Sequence, residues 1–170
     1  MYRPTPSLHV TLFLAAAVVL AGGRTVAAQH FSLQVGPPSA ASPQPGSTER
    51  KVLSGVLAVR PIGCPDAASV TMSATAEGID AGMRKTLPVA LSVTSTPGVR
   101  LALRSWTDGI WIVRLVGHCA GRTAGALVTL APGGAFRRDG VEYVAGEPTR
   151  EQVDRSLQEL TTGLSAVAAR

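Results

Sequence analysis

The chain has 170 residues, 45% of them hydrophobic, and a formal net charge of +5 from 16 basic and 11 acidic residues. This length and apolar content are enough for one domain with a core of its own. The basic residues are nearly all arginines and form no long run, which excludes a patch of the kind that tracks phosphates along a nucleic acid. We therefore expect no nucleic-acid partner.

The start of the chain has the pattern of a secretory signal peptide over residues 1–28. Arg3 supplies a positive charge, residues 10–22 form an apolar run, and Val26-Ala27-Ala28 places small residues before a cleavage site. The apolar run is shorter than the roughly 20 residues that a spanning helix needs. We predict cleavage after Ala28, no membrane span after that cleavage, and a periplasmic or secreted protein. An uncleaved membrane anchor is the alternative.

The composition of the remaining chain is consistent with a bacterial envelope or secreted protein. Cleavage would remove Arg3 and Arg24 but no acidic residue, so the mature chain would keep a small positive charge. The sequence contains no asparagine and therefore no N-glycosylation site. Together with the short signal, this favours a bacterial protein over a eukaryotic one.

Composition also predicts the order of the segments after the signal peptide. Residues 29–50 are rich in Pro, Ser, Ala and Gly and have few apolar side chains to bury, so we predict a disordered tether. A Pro-rich recognition peptide is the alternative for this segment. We expect a β-sandwich domain over residues 51–147 and a C-terminal helix over residues 148–170.

Seven segments of the domain have the alternation or the composition of β-strands. They lie at residues 52–59, 69–76, 87–93, 99–104, 111–119, 124–130 and 136–144. Pro88 cannot donate to a ladder, so its strand is expected at a sheet edge. These segments predict a small, mainly antiparallel β-sandwich of about seven strands.

Glycine and proline mark the turns between these segments. We expect a loop at residues 77–83, a tight turn at Thr96-Pro97-Gly98, and a hairpin at Asp139-Gly140. The hairpin signal at Asp139-Gly140 would divide residues 136–144 into two short arms.

The segment that contains Trp111 is predicted to form a hairpin with residues 99–104. A three-residue loop, Thr107-Asp108-Gly109, pairs Leu103 with Val113. A two-residue loop would instead set Leu103 opposite Arg114, an apolar side chain against a charged one. The register therefore favours the three-residue loop.

The last segment changes from the period of a strand to that of a helix. Thr149 and Gln152 match a capping box, with Thr149 as N-cap. One apolar stripe follows, made of Val153, Leu157, Leu160, Leu164 and Val167. We expect this amphipathic helix to pack on its own sheet; a dimer or partner helix is the alternative.

The two cysteines, Cys64 and Cys119, are expected to form a disulfide, because an even number of cysteines in an exported protein indicates one. Trp111 and Cys119 share one face of their strand. This is loosely similar to immunoglobulin-type sandwiches, in which a tryptophan packs on a disulfide between the sheets. The resemblance concerns the architecture alone and describes an Ig-like sandwich.

No metal or cofactor is expected from the sequence. Cys64, His118 and Cys119 are at most a partial ligand set, because a structural zinc site needs four ligands at regular spacing. The chain also lacks a nucleophile elbow and a phosphate-binding loop, so we expect no enzyme. Three acids in predicted loops, Asp66, Glu77 and Asp80, leave a hydrolase as an alternative.

In the predicted hairpin, arginine and apolar side chains share the outer face. Both aromatic residues and arginine are enriched at protein interfaces, so this face is a candidate partner site. Its residues are Arg100, Arg104, Trp106, Ile112 and Arg114. The alternative is that the C-terminal helix covers this face and brings Asp154 or Glu159 towards an arginine.

Together these patterns predict an exported, non-enzymatic binding or accessory domain for a protein or envelope partner. A carrier of a small ligand or metal near Cys64 and His118 is the first alternative, and a hydrolase is the second.

Overall fold

The computed structural model describes residues 30–38, 55–104, 106 and 109–168, and it confirms a mainly β sandwich with one C-terminal helix. The predicted signal peptide and most of the predicted tether lie outside these residues. No helix among the described residues is long and apolar enough to cross a membrane.

Nine strands in the described residues form two antiparallel sheets. They are β1 (Ser32–Gly36), β2 (Gly55–Ile62), β3 (Thr71–Asp80), β4 (Met83–Pro88), β5 (Leu91–Val93), β6 (Arg100–Leu103), β7 (Ile110–Cys119), β8 (Arg122–Leu130) and β9 (Phe136–Val144), followed by α1 (Arg150–Ala168). The first sheet has the order β1-β2-β6-β5, and the second has the order β4-β3-β7-β8-β9.

The main core lies between the two sheets, and a second core lies under the helix. Alternate residues of β2, such as Leu57 and Val59, meet Val113 and Leu115 of β7 in the main core. Ile112, on the opposite face of β7, belongs to the second core together with Leu127 and helix residues. Because β7 is buried on both faces, its sequence is almost continuously apolar.

The prediction of a disordered tether is wrong at its N-terminal end, because residues 32–36 form β1. This strand pairs with β2 at the edge of the first sheet. Phe31, Leu33 and Val35 are buried and alternate with exposed or half-buried neighbours. Their burial stabilises a strand next to a Pro-rich segment, because three apolar side chains on one face offset the ordering entropy.

A hairpin replaces the loop predicted over residues 77–83. β3 runs on to Asp80 and turns into β4 through Ala81 and Gly82, which both have positive φ, 50° and 77°. Ala120 and Gly121 repeat this two-residue turn between β7 and β8, with φ of 47° and 75°. Positive φ at both positions gives a type I′ turn, whose twist matches that of the strands.

The strand predicted over residues 87–93 divides between the two sheets. Pro88 ends β4 at the edge of the second sheet, which agrees with the expectation for a proline. The Val89 N–H donates to the Ala74 carbonyl at 3.0 Å, whereas the next carbonyl, of Ala90, accepts from the Leu103 N–H at 2.9 Å. Backbone bonds to both sheets thus hold the crossover.

The turn predicted at Thr96-Pro97-Gly98 is confirmed. The Val99 N–H donates to the Thr96 carbonyl at 3.1 Å, and Gly98 takes a positive φ of 76°. These features are those of a type II turn. Proline presets φ at the second position of such a turn, and glycine takes the positive φ that the third position requires.

The hairpin predicted between residues 99–104 and 111–119 is wrong, because β6 and β7 belong to different sheets. β6 pairs with β2 and β5, whereas β7 pairs with β3 and β8. β7 pairs along most of its length with β3 on one side and with β8 on the other, and a tight turn connects it to β8. Neither edge of β7 is therefore open to β6, which has only four residues.

Asp139-Gly140 forms part of a bulge in β9 and not the predicted hairpin. Leu130 pairs with Phe136 and Val128 pairs with Val141, so the register advances two residues on β8 and five on β9. A Cβ on Gly140 would lie 2.6 Å from the Thr129 carbonyl oxygen, so the bulge needs a glycine there. The extra residues of β9 project from the strand with their charged side chains.

The predicted capping box is confirmed at the start of α1. The Gln152 N–H donates to Thr149 Oγ1 at 3.3 Å, and the Thr149 N–H donates to Gln152 Oε1 at 2.8 Å. The Glu151 backbone N–H and the Thr149 hydroxyl also lower the pKa of the Glu151 carboxyl. Capping and a negative charge therefore both favour this helix end.

We expect Thr149→Ala to lower the free energy of unfolding by about 1 kcal/mol, because one cap is lost. The pKa of Glu151 should rise towards its ordinary value, since the Thr149 hydroxyl no longer holds the carboxylate. A lowered pKa stabilises the fold above the unfolded-state pKa, and this is lost as pH falls through the folded-state pKa. Urea unfolding and an NMR titration of Glu151 measure both effects.

Thr162→Ala is the matched control, because the Thr162 hydroxyl donates to the Gln158 carbonyl within the helix and caps no end. An equal loss of stability in both variants would contradict the capping explanation.

Candidate functional site

The predicted disulfide between Cys64 and Cys119 is confirmed, with 6.1 Å between the two Cα atoms. Cys64 follows β2 of the first sheet and Cys119 ends β7 of the second, so the bond joins the two sheets. It also removes both thiolates from the partial metal-ligand set that includes His118. Within the described part of the chain, no group of three or more His, Cys, Asp and Glu side chains could hold a metal ion.

Trp111 contacts a second tryptophan and lies far from the disulfide. The ring centroids of Trp106 and Trp111 are 5.9 Å apart, and both side chains are buried. Trp111 and Cys119 are separated along β7 by roughly 27 Å, at about 3.4 Å per residue. The similarity to immunoglobulin-type sandwiches therefore does not extend to a tryptophan packed on the disulfide.

The residues predicted to form one partner face do not lie on one face. Arg100 and Arg104 lie in or beside β6 of the first sheet, whereas Ile112 and Arg114 lie on β7 of the second. Trp106 and Ile112 are buried, with 6% and 0% of their surface exposed. The structure thus separates the predicted face into core positions and three arginines with local contacts.

Each of these three arginines contacts its surroundings in a different place. Arg104 donates from Nε to the Trp106 carbonyl and from Nη1 to the Gly133 carbonyl, both at 3.1 Å. Arg100 Nη1 donates to the Val99 carbonyl at 3.3 Å, and Arg114 lies 3.5 Å from the carboxylate of Glu147. Arg104 thus connects the end of β6 to the turn that contains Gly133, and Arg114 connects β7 to the segment before α1, whereas Arg100 contacts the residue that precedes it.

The C-terminal helix covers the face of the second sheet that contains Ile112. This agrees with the alternative in the sequence analysis, in which the helix covers the predicted partner face. Val153 and Leu157 of α1 are buried in the second core with Ile112. Asp154 does approach an arginine, which is Arg84 of β4: Nη1 lies 2.5 Å from Asp154, and Nη2 lies 2.9 Å from Glu77. Hydrogen bonds to Glu77 and then Asp154 raise the pKa of Arg84.

Asp66, Glu77 and Asp80 were the basis of the hydrolase alternative, and each of these carboxylates lies in a different contact. Asp66 accepts the Ala68 N–H at 2.9 Å and caps a short 3-10 turn. Glu77 binds Arg84, and Asp80 lies 2.6 Å from Lys85 Nζ. Each carboxylate therefore has a structural partner.

A groove between α1 and the β8–β9 hairpin was not predicted and is the better candidate site. Its volume is about 510 Å³. The apolar part of its lining includes Ile110, Leu127 and Leu160, and Gly163 borders it from the helix. Among the described residues, a Cβ on Gly163 would meet no atom within 4 Å, so the helix leaves open space at this point.

The charged part of the groove lining has an excess of acid. Arg137 and Asp139 form an ion pair within the β9 bulge, and the Arg137 guanidinium lowers the pKa of the Asp139 carboxyl. Glu142 of β9 and Glu159 of α1 also line the groove. Their carboxylates form no ion pair among the described residues, so two negative charges border an apolar floor on a chain with net positive charge.

A sequence signal for this groove exists only in part. The apolar stripe that contains Leu160 predicts one side of the groove, the apolar face of the helix. The other side depends on the bulge in β9, where the sequence predicted a hairpin instead. No family model matches the chain, and no curated protein and no solved structure matches it either.

Proposed function

We propose that the protein is an exported, non-enzymatic binding domain that holds a basic, apolar segment of a partner protein in the groove between α1 and β9. The observation that carries this proposal is the combination of an apolar floor with Glu142 and Glu159, two acids that form no ion pair with any described residue. Apolar contacts would supply affinity, and the acidic border would select a segment with lysine or arginine.

The disulfide and the signal-like N-terminus support a periplasmic or secreted location. Disulfides persist in oxidising compartments and are rare in the bacterial cytosol. The Cys64–Cys119 bond is therefore compatible with export, and the envelope is where we expect the partner.

The dimensions of the groove favour a short peptide segment. Its helical side extends from Ser156 to Gly163, which is about 10 Å at 1.5 Å per residue. An extended chain covers this length with about three residues. The groove would thus accept one or two large apolar side chains and their basic neighbours.

Titration of the isotopically labelled full chain with a synthetic peptide of alternating leucine and lysine tests the proposal. We expect NMR shifts at Ile110, Leu127 and Leu160, and none with a peptide in which glutamate replaces lysine. Replacing both Glu142 and Glu159 by glutamine should weaken binding about fivefold, since each exposed charge pair contributes about 0.5 kcal/mol. Glu147→Gln is the matched control, because Glu147 lies outside the groove lining.

Gly163→Leu should abolish peptide binding by filling the groove, because a side chain there meets open space. Gly163→Ala should keep binding, and both variants should remain folded, because they remove a helical glycine. Shifts outside the groove, or equal affinity for Gly163→Leu and Gly163→Ala, would contradict the proposed site.

A further inference from the structure

A second cavity, which shares no lining residue with the groove, lies against the outer face of the first sheet. Its volume is about 550 Å³. Leu57 and Val59 of β2 face the main core, so Ala58 and Arg60 between and beside them face outward into this region. Residues of β1, the turn that contains Thr96, and β9 complete the lining.

Two arginines give this cavity a positive charge. Arg60 comes from β2, and Arg138 comes from the bulge in β9. The described lining contains no carboxylate, and within the described chain neither guanidinium has an ion pair or a hydrogen bond. By contrast, Arg84 and Arg137 bind carboxylates of their own chain. The donors of Arg60 and Arg138 are thus available to a ligand.

Neutral groups in the same lining add hydrogen-bonding capacity. The Tyr143 hydroxyl oxygen accepts the Val35 N–H at 3.3 Å, and a hydroxyl that accepts a hydrogen bond can still donate its own proton to a ligand. Gln34 and Thr96 contribute an amide and a hydroxyl. A ligand in this cavity would therefore meet several donors beside the two arginines.

The floor of the cavity is apolar. Ala58 and Val99 are each only 5% exposed and pack together on the outer face of the sheet. Because alanine is small, the floor leaves room for an apolar ligand body directly beside the Arg60 side chain.

We infer that this cavity binds a small organic anion, whose carboxylate or phosphate is received by Arg60 and Arg138 and whose apolar body lies on Ala58 and Val99. Guanidinium groups bind these two oxyanions in a bidentate, charge-assisted manner. This site is separate from the groove under α1 and opposite to it in charge, so it would provide a second binding activity.

Hexanoate, hexyl phosphate and hexanol are suitable probes for NMR titration of the full chain. We expect both anions to shift Gln34, Thr96 and Tyr143, and hexanol to cause no shift at the same concentration. The preferred oxyanion follows from the ratio of the two affinities. Equal binding of hexanol would overturn the inference.

Arg60→Gln and Arg138→Gln should each weaken binding of the anion roughly tenfold, because a charge-assisted hydrogen bond is replaced by a neutral one. Arg155→Gln, on the exposed surface of α1, is the matched control and should bind as the unmodified chain does. Unchanged affinity in the two cavity variants would overturn the inference. Binding to phosphatidylglycerol vesicles without binding of either soluble anion would also overturn it, in favour of a membrane surface.

Discussion

Replacing Cys64 and Cys119 together by serine is expected to lower the free energy of unfolding by about 4 kcal/mol. The bond closes a loop between residues that are 55 positions apart, and without it the unfolded chain gains the freedom of that loop. The two sheets would then be held together by the core alone. Urea denaturation of the oxidised unmodified chain and of the double variant gives the difference.

A reducing agent provides the control for the serine substitutions themselves. It should lower the stability of the unmodified chain to the level of the double variant and leave the variant unchanged. A difference below about 1 kcal/mol would show that the disulfide adds little to the fold, contrary to the chain-entropy estimate.

Leu157→Ala is expected to cost about 3 kcal/mol, the second large effect, because it leaves a cavity in the core under α1. Leu157 is 5% exposed and shares that core with Ile112, Leu127 and Val153. This core connects the helix to the second sheet, so the variant should also free the helix from the sheet. Urea unfolding measures the cost, and hydrogen exchange of the α1 amides measures the release.

Gln158→Ala controls for the change to alanine, since Gln158 is the next residue of the helix and its side chain is exposed. It should be neutral or slightly stabilising, because alanine favours a helix. If Leu157→Ala lost no more stability than Gln158→Ala, the helix would not be anchored by its apolar stripe.

Local features of the fold were predicted well from the sequence. The capping box at Thr149, the turn at Thr96-Pro97-Gly98 and the edge position of Pro88 each depend on a few neighbouring residues. The disulfide needed only the cysteine count and the inference of export. In these cases, the chemistry of one or a few residues decides the structure.

Strand pairing was predicted less well, because it depends on which distant segments compete for an edge. A hairpin of β6 and β7 would have placed apolar side chains opposite each other. In the structure, however, β7 forms long ladders with β3 and β8 instead. The turns Ala81-Gly82 and Ala120-Gly121 were also difficult to identify, since alanine is uncommon at positive φ.

The first strand could have been found in the sequence. Phe31, Leu33 and Val35 alternate with polar or small residues, the period of a half-buried strand. The Pro-rich composition of the following residues hid this short signal.

The candidate sites depend on still longer-range structure. The groove requires α1 to dock beside β8 and β9, and the cavity requires the β9 bulge to bring Arg138 close to Arg60. No sequence spacing relates the residues of either site, and Arg60 and Arg138 come from opposite ends of the domain.

A regular strand at the border of a sheet is a template for a second copy of the chain, because its outer N–H and C=O groups are free to pair. β9 holds this position in the second sheet. The bulge interrupts its ladder and places Arg137, Arg138 and Asp139 in succession there. An approaching strand would therefore meet a broken register and three charged side chains, which protects the protein against edge-to-edge aggregation.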